Sequence, residues 1–277
     1  MRTLAVALDL LREAASRRWF LALGIGITLL LACFGLALRI EVVDGALAAT
    51  RLFGKVLDTD IRSVDVAMRY VYRAVAYVIA YGGLLFGIVA CADFAPSLLS
   101  PGRIEHLLAL PVRRWELLAG TFLGVLVLAL LGAVYGAGGL TLILSVKTGY
   151  WTARPILAAL LASVTFAAIY GAMLASALLA RSAAISAAVG VALFVSGIVA
   201  GNRETLAPLL EPGLRRALFE GATLLLPRVS TMADTAADLA ASVPVDGLAL
   251  GSRLAGLAVF ALSALAFAIW RFEQRDF

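Results

Sequence analysis

The sequence predicts an all-α integral membrane protein with six transmembrane helices. Of its 277 residues, 62% are hydrophobic and only 15% are charged, whereas soluble domains average about 25% charged residues. A soluble fold of this length still exposes about a quarter of its chain surface, so it could not hide so much apolar area. Six windows contain no Asp, Glu, Lys or Arg, and a helix needs about 20 such residues to cross a bilayer.

These windows define the spans of a single transmembrane domain over residues 1–277. The spans are predicted at about residues 19–38, 72–92, 117–145, 155–180, 182–202 and 254–270. Residues 155–202 must form two spans, because one helix of that length would be roughly 72 Å long with Arg181 inside the membrane. No window alternates apolar and polar residues, so helices are favoured over barrel strands.

Six spans place both termini on the same side of the membrane. If that side is the cytoplasm, Lys and Arg make up about 20% of the inner segments and about 14% of the outer ones. The positive-inside rule therefore favours cytoplasmic termini in a cell (inner or plasma) membrane. The same topology explains the net charge of +5, which needs no nucleic-acid partner.

Few residues carry catalytic or metal-binding chemistry. Cys33 and Cys91 both fall in predicted spans, and His106 is the only histidine. This excludes a haem held by two histidines and a His-rich metal centre, and there is no phosphate-binding loop motif. The predicted spans contain no Asp or Glu, unlike those of many ion-coupled carriers. We expect a chain that is not an enzyme, holds no cofactor of its own, and takes its energy from another subunit.

Residues 1–18 predict an interfacial helix. Leu4, Leu8, Leu11 and Ala15 recur at helical spacing, and most charged residues lie elsewhere on the helical wheel. The alternative is a simple cytoplasmic extension of the first span.

The loop between the second and third spans predicts a short amphipathic helix over residues 100–110. Ser100 suits an N-cap, and Pro101 suits the first helical position, where its missing N–H costs nothing. Ile104, Leu107 and Leu108 then form one apolar stripe. Such a helix either rests on lipid headgroups or inserts into a groove on a cytoplasmic partner.

The same loop carries a motif with a known counterpart. Its members are Asp93, Gly102, Leu107-Leu108, Pro111, Arg114 and Gly120. Their spacings resemble the first cytoplasmic loop of ABC-2-type permeases, the transmembrane subunits of type-2 ABC exporters. The Arg17-Arg18-Trp19 entry to the first span, the closing residues 271–277 and the six-span layout are also similar. Thr121 departs from the family pattern, which usually has Lys after the glycine.

The resemblance implies a permease that forms a substrate pathway and couples it to two cytoplasmic ATPase subunits. A second permease copy, most simply in a homodimer, would complete the pathway, and the partners would bind ATP and Mg. Residues 100–110 would be the coupling helix, and Arg103 and Glu105 would join its ATPase contact. The full expected contact set is Gly102, Arg103, Ile104, Glu105, Leu107, Leu108, Pro111 and Arg114.

The remaining segments lie outside the six predicted spans or supply polar residues within them. Residues 203–253 are expected outside the cytoplasm as short re-entrant helices before the last span, as the resemblance implies, or else as a soluble subdomain. Residues 39–69 have five basic and five acidic side chains and predict a solvated outer loop. Candidate polar points along a pathway are Tyr77, Tyr81, Thr141, Thr165, Tyr170 and Ser176.

Glycine pairs spaced four residues apart predict close helix packing, either within one chain, the favoured interpretation, or at the seam of a dimer. They are Gly83/Gly87, Gly120/Gly124 and Gly132/Gly136. Two other function classes stay open at this point. One is a membrane-embedded enzyme, although no nucleophile–base pair is recognisable, and the other is a membrane anchor of a multiprotein complex.

Overall fold

A computed structural model of the chain describes residues 2–16, 18–43, 46–52, 55–58, 62–100, 102, 104–105 and 112–274. Within these residues, six helices are long and apolar enough to cross a membrane, as in a multi-pass membrane protein. They cover Phe20–Ala37, Met68–Leu98, Arg114–Thr148, Arg154–Ala180, Ala183–Gly201 and Gly247–Glu273. Each of the six predicted spans is thereby confirmed as a helix of membrane-spanning length.

The helices are numbered in chain order. The first half contains α1 (Arg2–Ser16), α2 (Arg18–Ala37), α3 (Val64–Tyr77), a π-helical turn (Val78–Gly82), α4 (Gly83–Cys91) and α5 (Phe94–Leu98). The three central helices are α6 (Arg114–Thr148), α7 (Arg154–Ala180) and α8 (Ala183–Gly201). The chain then forms α9 (Arg203–Leu206), a 3-10 turn (Ala207–Leu209), α10 (Leu214–Leu225), α11 (Val229–Ala240) and α12 (Gly247–Glu273).

Local interactions explain where the long helices begin and end. At the start of α6, the backbone N–H of Arg113 donates to Glu116 Oε2 at 2.8 Å, and the helix ends at Gly149 with a left-handed φ of 71°, which glycine adopts without strain. Helix α7 ends at Arg181, which also has a left-handed φ of 51°. Ser182 then caps α8, because its Oγ accepts from the N–H of Ile185.

Helix α6 extends the third predicted span by three residues at each end. It has 35 residues, so it is about 52 Å long and exceeds the roughly 30 Å hydrocarbon core. It continues as a single helix through Gly136, Gly138 and Gly139.

The segment between the first two spans contains a small antiparallel sheet, so residues 39–69 are not an irregular loop as predicted, while their exposure to solvent stays a prediction. Its strands are β1 (Leu38–Val43), β2 (Ala46–Leu52), β3 (Lys55–Asp58) and β4 (Arg62–Ser63). Strand β2 pairs with β1 along one edge, and β3 and β4 pair with it along the other. The sequence signals are β-branched residues in β1 and an Asp44-Gly45 pair between β1 and β2, the composition of a tight hairpin turn.

Successive spans alternate in direction, so the helix bundle has two ends. The loop end contains α1, the 99–113 loop and the end of α12, where Arg114 Nη1 donates to the carbonyl oxygen of Glu273 at 3.2 Å. The sheet end contains the β-strands, the Gly149 turn and residues 202–246.

Helix α7 is the central helix of the bundle. It contacts α6, α8, α11 and α12, and buried residues occur along its whole length. Helix α2 is the opposite case, since no residue of Phe20–Ala37 is buried. Its surface is therefore left to lipid or to another chain.

Two of the predicted glycine pairs differ in what they contact. A Cβ atom at Gly120 would lie 2.6 Å from Val6 Cβ, and one at Gly124 would lie 3.1 Å from the carbonyl oxygen of Ala7. This pair packs α6 against α1, which confirms packing within the chain. Gly132 and Gly136 instead face open space, so this pair does not pack against another helix of the same chain, and a dimer seam stays a prediction for it.

Candidate functional site

The loop end is built on a short buried stretch that follows the second span. Phe94 and Leu98 of α5 are buried, as is Leu99, and these apolar side chains fix the start of the loop to the bundle. The chain then turns at Gly102, which has a left-handed φ of 82° and is exposed. One helical hydrogen bond follows, from the N–H of Ile104 to the carbonyl oxygen of Ser100 at 3.2 Å.

Ile104, one of the predicted ATPase-contact residues, is buried. Only 4% of its surface is exposed, and it belongs to the main core cluster together with Phe94, Leu118 and Phe272. Its side chain therefore anchors the loop to its own bundle. Glu105, the next residue, is exposed.

The other predicted contact residues divide between described and undescribed positions. Arg103, Leu107, Leu108 and Pro111, and with them most of the predicted 100–110 helix, lie outside the described residues. Arg114 is half-buried at the start of α6. It borders an open surface pocket whose lining is Val112, Arg113, Arg114, Trp115 and Glu273.

Helix α1 has two apolar faces. Ala7, Leu10 and Ala14 are buried against the bundle, whereas Leu4 and Leu8 are exposed. The stripe that sequence spacing identified thus points away from the bundle, in a position to meet lipid or a partner. The opposite face, with Val6, Ala7 and Leu10, lies directly on Gly120 and Gly124 of α6.

At the sheet end, α11 packs against α3, α7 and α8, and α3 holds it through two polar pairs. The hydroxyl of Tyr77 donates to Asp234 Oδ1 at 2.9 Å. Arg73 Nη2 lies 2.9 Å from Asp238 Oδ1. Sequence analysis singled out Tyr77 but missed the other three residues, although two aspartates four residues apart between spans are a visible signal for one polar helix face.

Tyr81 lies next to this contact. Its ring stacks on that of Tyr77 with centroids 6.2 Å apart, and it meets Phe194 of α8 edge-on at 6.2 Å. Both tyrosines are half-buried. The structure therefore brings these two predicted pathway residues together beside α11.

Three other predicted pathway residues do not line an open passage in this structure. Thr141 and Thr165 are buried, and each hydroxyl donates to a carbonyl oxygen of its own helix, from Ala137 and Leu161 respectively. Tyr170 is buried between the rings of Phe122 and Phe166.

The hydroxyl groups of Ser176 and Tyr170 differ in their hydrogen bonding. Ser176 is half-buried and its hydroxyl donates to the carbonyl oxygen of Met173 at 2.8 Å. The Tyr170 hydroxyl has no hydrogen-bond partner among the described residues. A buried hydroxyl without a partner loses the hydrogen bonds it made to water, so this side chain is a local cost within the core.

Metal-binding geometry does not occur in the described part of the chain. No three His, Cys, Asp or Glu side chains there come close enough together to hold a metal ion. Cys33 is exposed and Cys91 is buried, and both are free thiols.

The chain matches no protein family model, and no curated protein is significantly similar to it.

Proposed function

We propose that the chain is the transmembrane permease subunit of an ABC exporter. In this proposal two copies form the substrate pathway, and two cytoplasmic ATPase subunits bind and hydrolyse ATP with Mg. The chain lies in the inner or plasma membrane with the loop end, and both termini, in the cytoplasm. The observation that carries the proposal is the Asp93-to-Gly120 motif in the loop between the second and third helical spans.

Four features of the loop end support an ATPase contact there. Ile104 is buried and so fixes the start of the loop to the bundle. Glu105 follows it on the exposed side, and the open pocket at Val112–Trp115 lies beside the end of α12. Helix α1 presents exposed Leu4 and Leu8 at the same end.

The sheet end supports a pathway that opens on the opposite side. Helices α10 and α11 follow each other between the fifth and sixth spans, and α11 packs among the spans against α3, α7 and α8. We interpret this segment as re-entrant. Tyr77 and Tyr81 then offer polar groups where α11 meets the second span.

The direct test of the proposal is isolation of the tagged chain with the ATPase encoded beside it. We expect a complex of two permease and two ATPase chains that hydrolyses ATP in lipid nanodiscs. A permease that is active as a monomer, or that purifies without an ATPase under conditions where both are expressed, would contradict the proposal.

The contact itself is tested by Leu107→Asp and Leu108→Asp. Burial of one leucine contributes roughly 1.5–3 kcal/mol, so each variant is expected to weaken ATPase association about tenfold or more. Association is measured by titrating the ATPase onto permease nanodiscs. The matched control is Leu209→Asp, which places the same new charge at an exposed leucine of the sheet end.

The control and the variants must insert equally well into the membrane. If Leu107→Asp and Leu108→Asp bind the ATPase as tightly as Leu209→Asp does, then the loop rests on lipid headgroups and is not the coupling element.

A further inference from the structure

Three arginines from separate segments converge on the first half of α11. Arg228 directly precedes this helix. Arg203 directly follows Asn202, whose side-chain amide donates to Ser230 Oγ at 3.1 Å. Arg253 comes from α12, and its Nη1 donates to Thr235 Oγ1. Burial lowers the pKa of Arg228. The positive charges of Arg203 and Arg253 lower this pKa further, whereas the negative charge of Glu204 raises it.

These positive charges have little compensation within the chain. Arg203 and Arg228 make no side-chain hydrogen bond or ion pair with any residue that the structure describes. Among the described residues, the hydrogen bond of the Arg253 side chain goes to a neutral hydroxyl, that of Thr235. The two acidic residues of α11 contact Tyr77 and Arg73 of α3 instead, and Glu204 is exposed.

Arg228, at the start of α11, lies below the outer ends of the long helices that surround α11. Met232, one turn into α11, packs in one cluster with Ala168 and Leu257. Ala168 is near the middle of α7, whereas Ala240, at the end of α11, clusters with Ala158 near the start of α7. The first turn of α11 is therefore its deepest part. Cationic groups at such depth are costly unless a water-filled cavity or a counter-charge compensates them.

An apolar surface leads to this position. Helix α10 immediately precedes Arg228 and exposes Leu214, Leu218, Leu224 and Leu225. The combination of exposed leucines with adjacent guanidinium groups suits a molecule that has acyl chains and an anionic headgroup. Guanidinium groups bind phosphate oxygens through paired hydrogen bonds, which makes phosphate the best-matched anion.

We propose that Arg203, Arg228 and Arg253 form a binding site for the phosphate group of an anionic amphiphile that enters from the leaflet at the sheet end. The site is independent of the exporter assignment, because it needs only this chain and a lipid-like ligand. The acyl chains of the bound amphiphile would lie along the exposed leucines of α10.

The test uses the full chain in detergent, titrated with phosphatidylglycerol and followed by native mass spectrometry of retained lipid. Arg228→Gln is the main variant, because the Arg228 side chain makes no hydrogen bond with the described residues that the substitution would break. Loss of one charge-assisted contact is expected to weaken phosphatidylglycerol binding about tenfold or more. Arg203→Gln is expected to act in the same direction.

The matched control is Arg215→Gln, which removes one exposed positive charge from α10 of the same segment. Inorganic phosphate is added as a competitor in a parallel titration. Competition by inorganic phosphate would show that the phosphate oxygens alone are enough for binding. Absence of competition would show that the acyl chains contribute to the affinity. Both results support the site if Arg228→Gln weakens lipid binding. Equal phosphatidylglycerol affinity in the wild type and Arg228→Gln, or equal weakening by Arg215→Gln, would overturn the proposal.

Discussion

Gly120 and Gly124 allow the backbone of α1 to lie directly on α6. At Gly120, an added Cβ would meet Val6 Cβ at 2.6 Å and the carbonyl oxygen of Thr3 at 2.8 Å. Real Cβ atoms do not approach backbone so closely, so any side chain at this position must move α1. The position of α1 at the loop end therefore depends on the absence of two side chains.

We predict that Gly120→Ala loosens α1 from the bundle. Overpacking of this kind costs about 1–3 kcal/mol, which exceeds the roughly 1 kcal/mol that alanine gains over glycine in a helix. Thermal unfolding of the purified chain should show a lower midpoint, and protease should cleave α1 faster.

Gly132→Ala is the matched control, since it lies in the same helix and a Cβ there meets nothing within 4 Å. Its unfolding midpoint should equal or exceed that of the wild type. If both variants behave alike, the contact between α1 and α6 does not hold the two helices together.

Ile104 shows what a single residue adds to a sequence pattern. Its spacing with Leu107 and Leu108 indicates one apolar stripe, but the pattern is the same whether the stripe faces a partner or its own bundle. The structure places Ile104 in the core because the chain folds back over α5 at Gly102. Polar replacement of Ile104 would consequently test folding, whereas Leu107 and Leu108 are the positions that test partner binding.

Among the elements, α11 is held by side chains that come from a distant part of the sequence. Its first turn also fits against Gly197 and Gly201 of α8, where an added Cβ at Gly197 would lie 2.6 Å from the carbonyl oxygen of Pro227. Helix α11 thus packs closely against two glycines of α8 and makes polar contacts with α3. Any movement of α11 must break the close packing on α8 and the polar contacts with α3.

We predict that Tyr77→Phe loosens α11. The variant removes the hydrogen bond to Asp234, which is worth about 1 kcal/mol, so backbone amides of α11 should exchange hydrogen about fivefold faster. Tyr81→Phe is the matched control, because the described structure gives its hydroxyl no hydrogen bond, and its exchange should stay at the wild-type rate.

A double variant sharpens this test. When Asp234→Ala is combined with Tyr77→Phe, exchange should be no faster than with Asp234→Ala alone, since each substitution removes the same bond. Additive effects of the two substitutions would refute a direct contact between these side chains.

The spans were predictable from sequence, whereas the contacts between elements were not. Absence of charge identifies a helix in lipid because every backbone polar group is satisfied within the helix itself, so local composition suffices. The Tyr77–Asp234 bond joins residues 157 positions apart and has no local signature. The π-helical turn at Val78–Gly82 and the close packing of α11 on Gly197 and Gly201 were likewise not predicted, because both depend on how neighbouring helices approach one another.

At the scale of the whole molecule, the two bundle ends differ in composition and structure. The loop end gathers α1, the motif loop and the end of α12, while the sheet end carries the β-strands and α9–α11. Only the charge distribution indicates which end faces the cytoplasm.

We predict that the loop end is cytoplasmic. In a background with Cys33→Ala and Cys91→Ala, a membrane-impermeant maleimide should label Glu211→Cys in intact cells. Glu105→Cys should be labelled only after the membrane is opened. Both positions are exposed, so accessibility within the protein does not limit labelling, and the reversed pattern would overturn the orientation.

The connection between α7 and α8 has a consequence for biosynthesis. Only Arg181, with its left-handed backbone, and the cap Ser182 separate the two helices. Two residues cannot form a loop that reaches across a bilayer. The two helices must therefore cross the membrane in opposite directions, and the orientation of one determines the orientation of the other. We accordingly expect the most buried helix of the bundle to enter the membrane together with its neighbour as a helical hairpin.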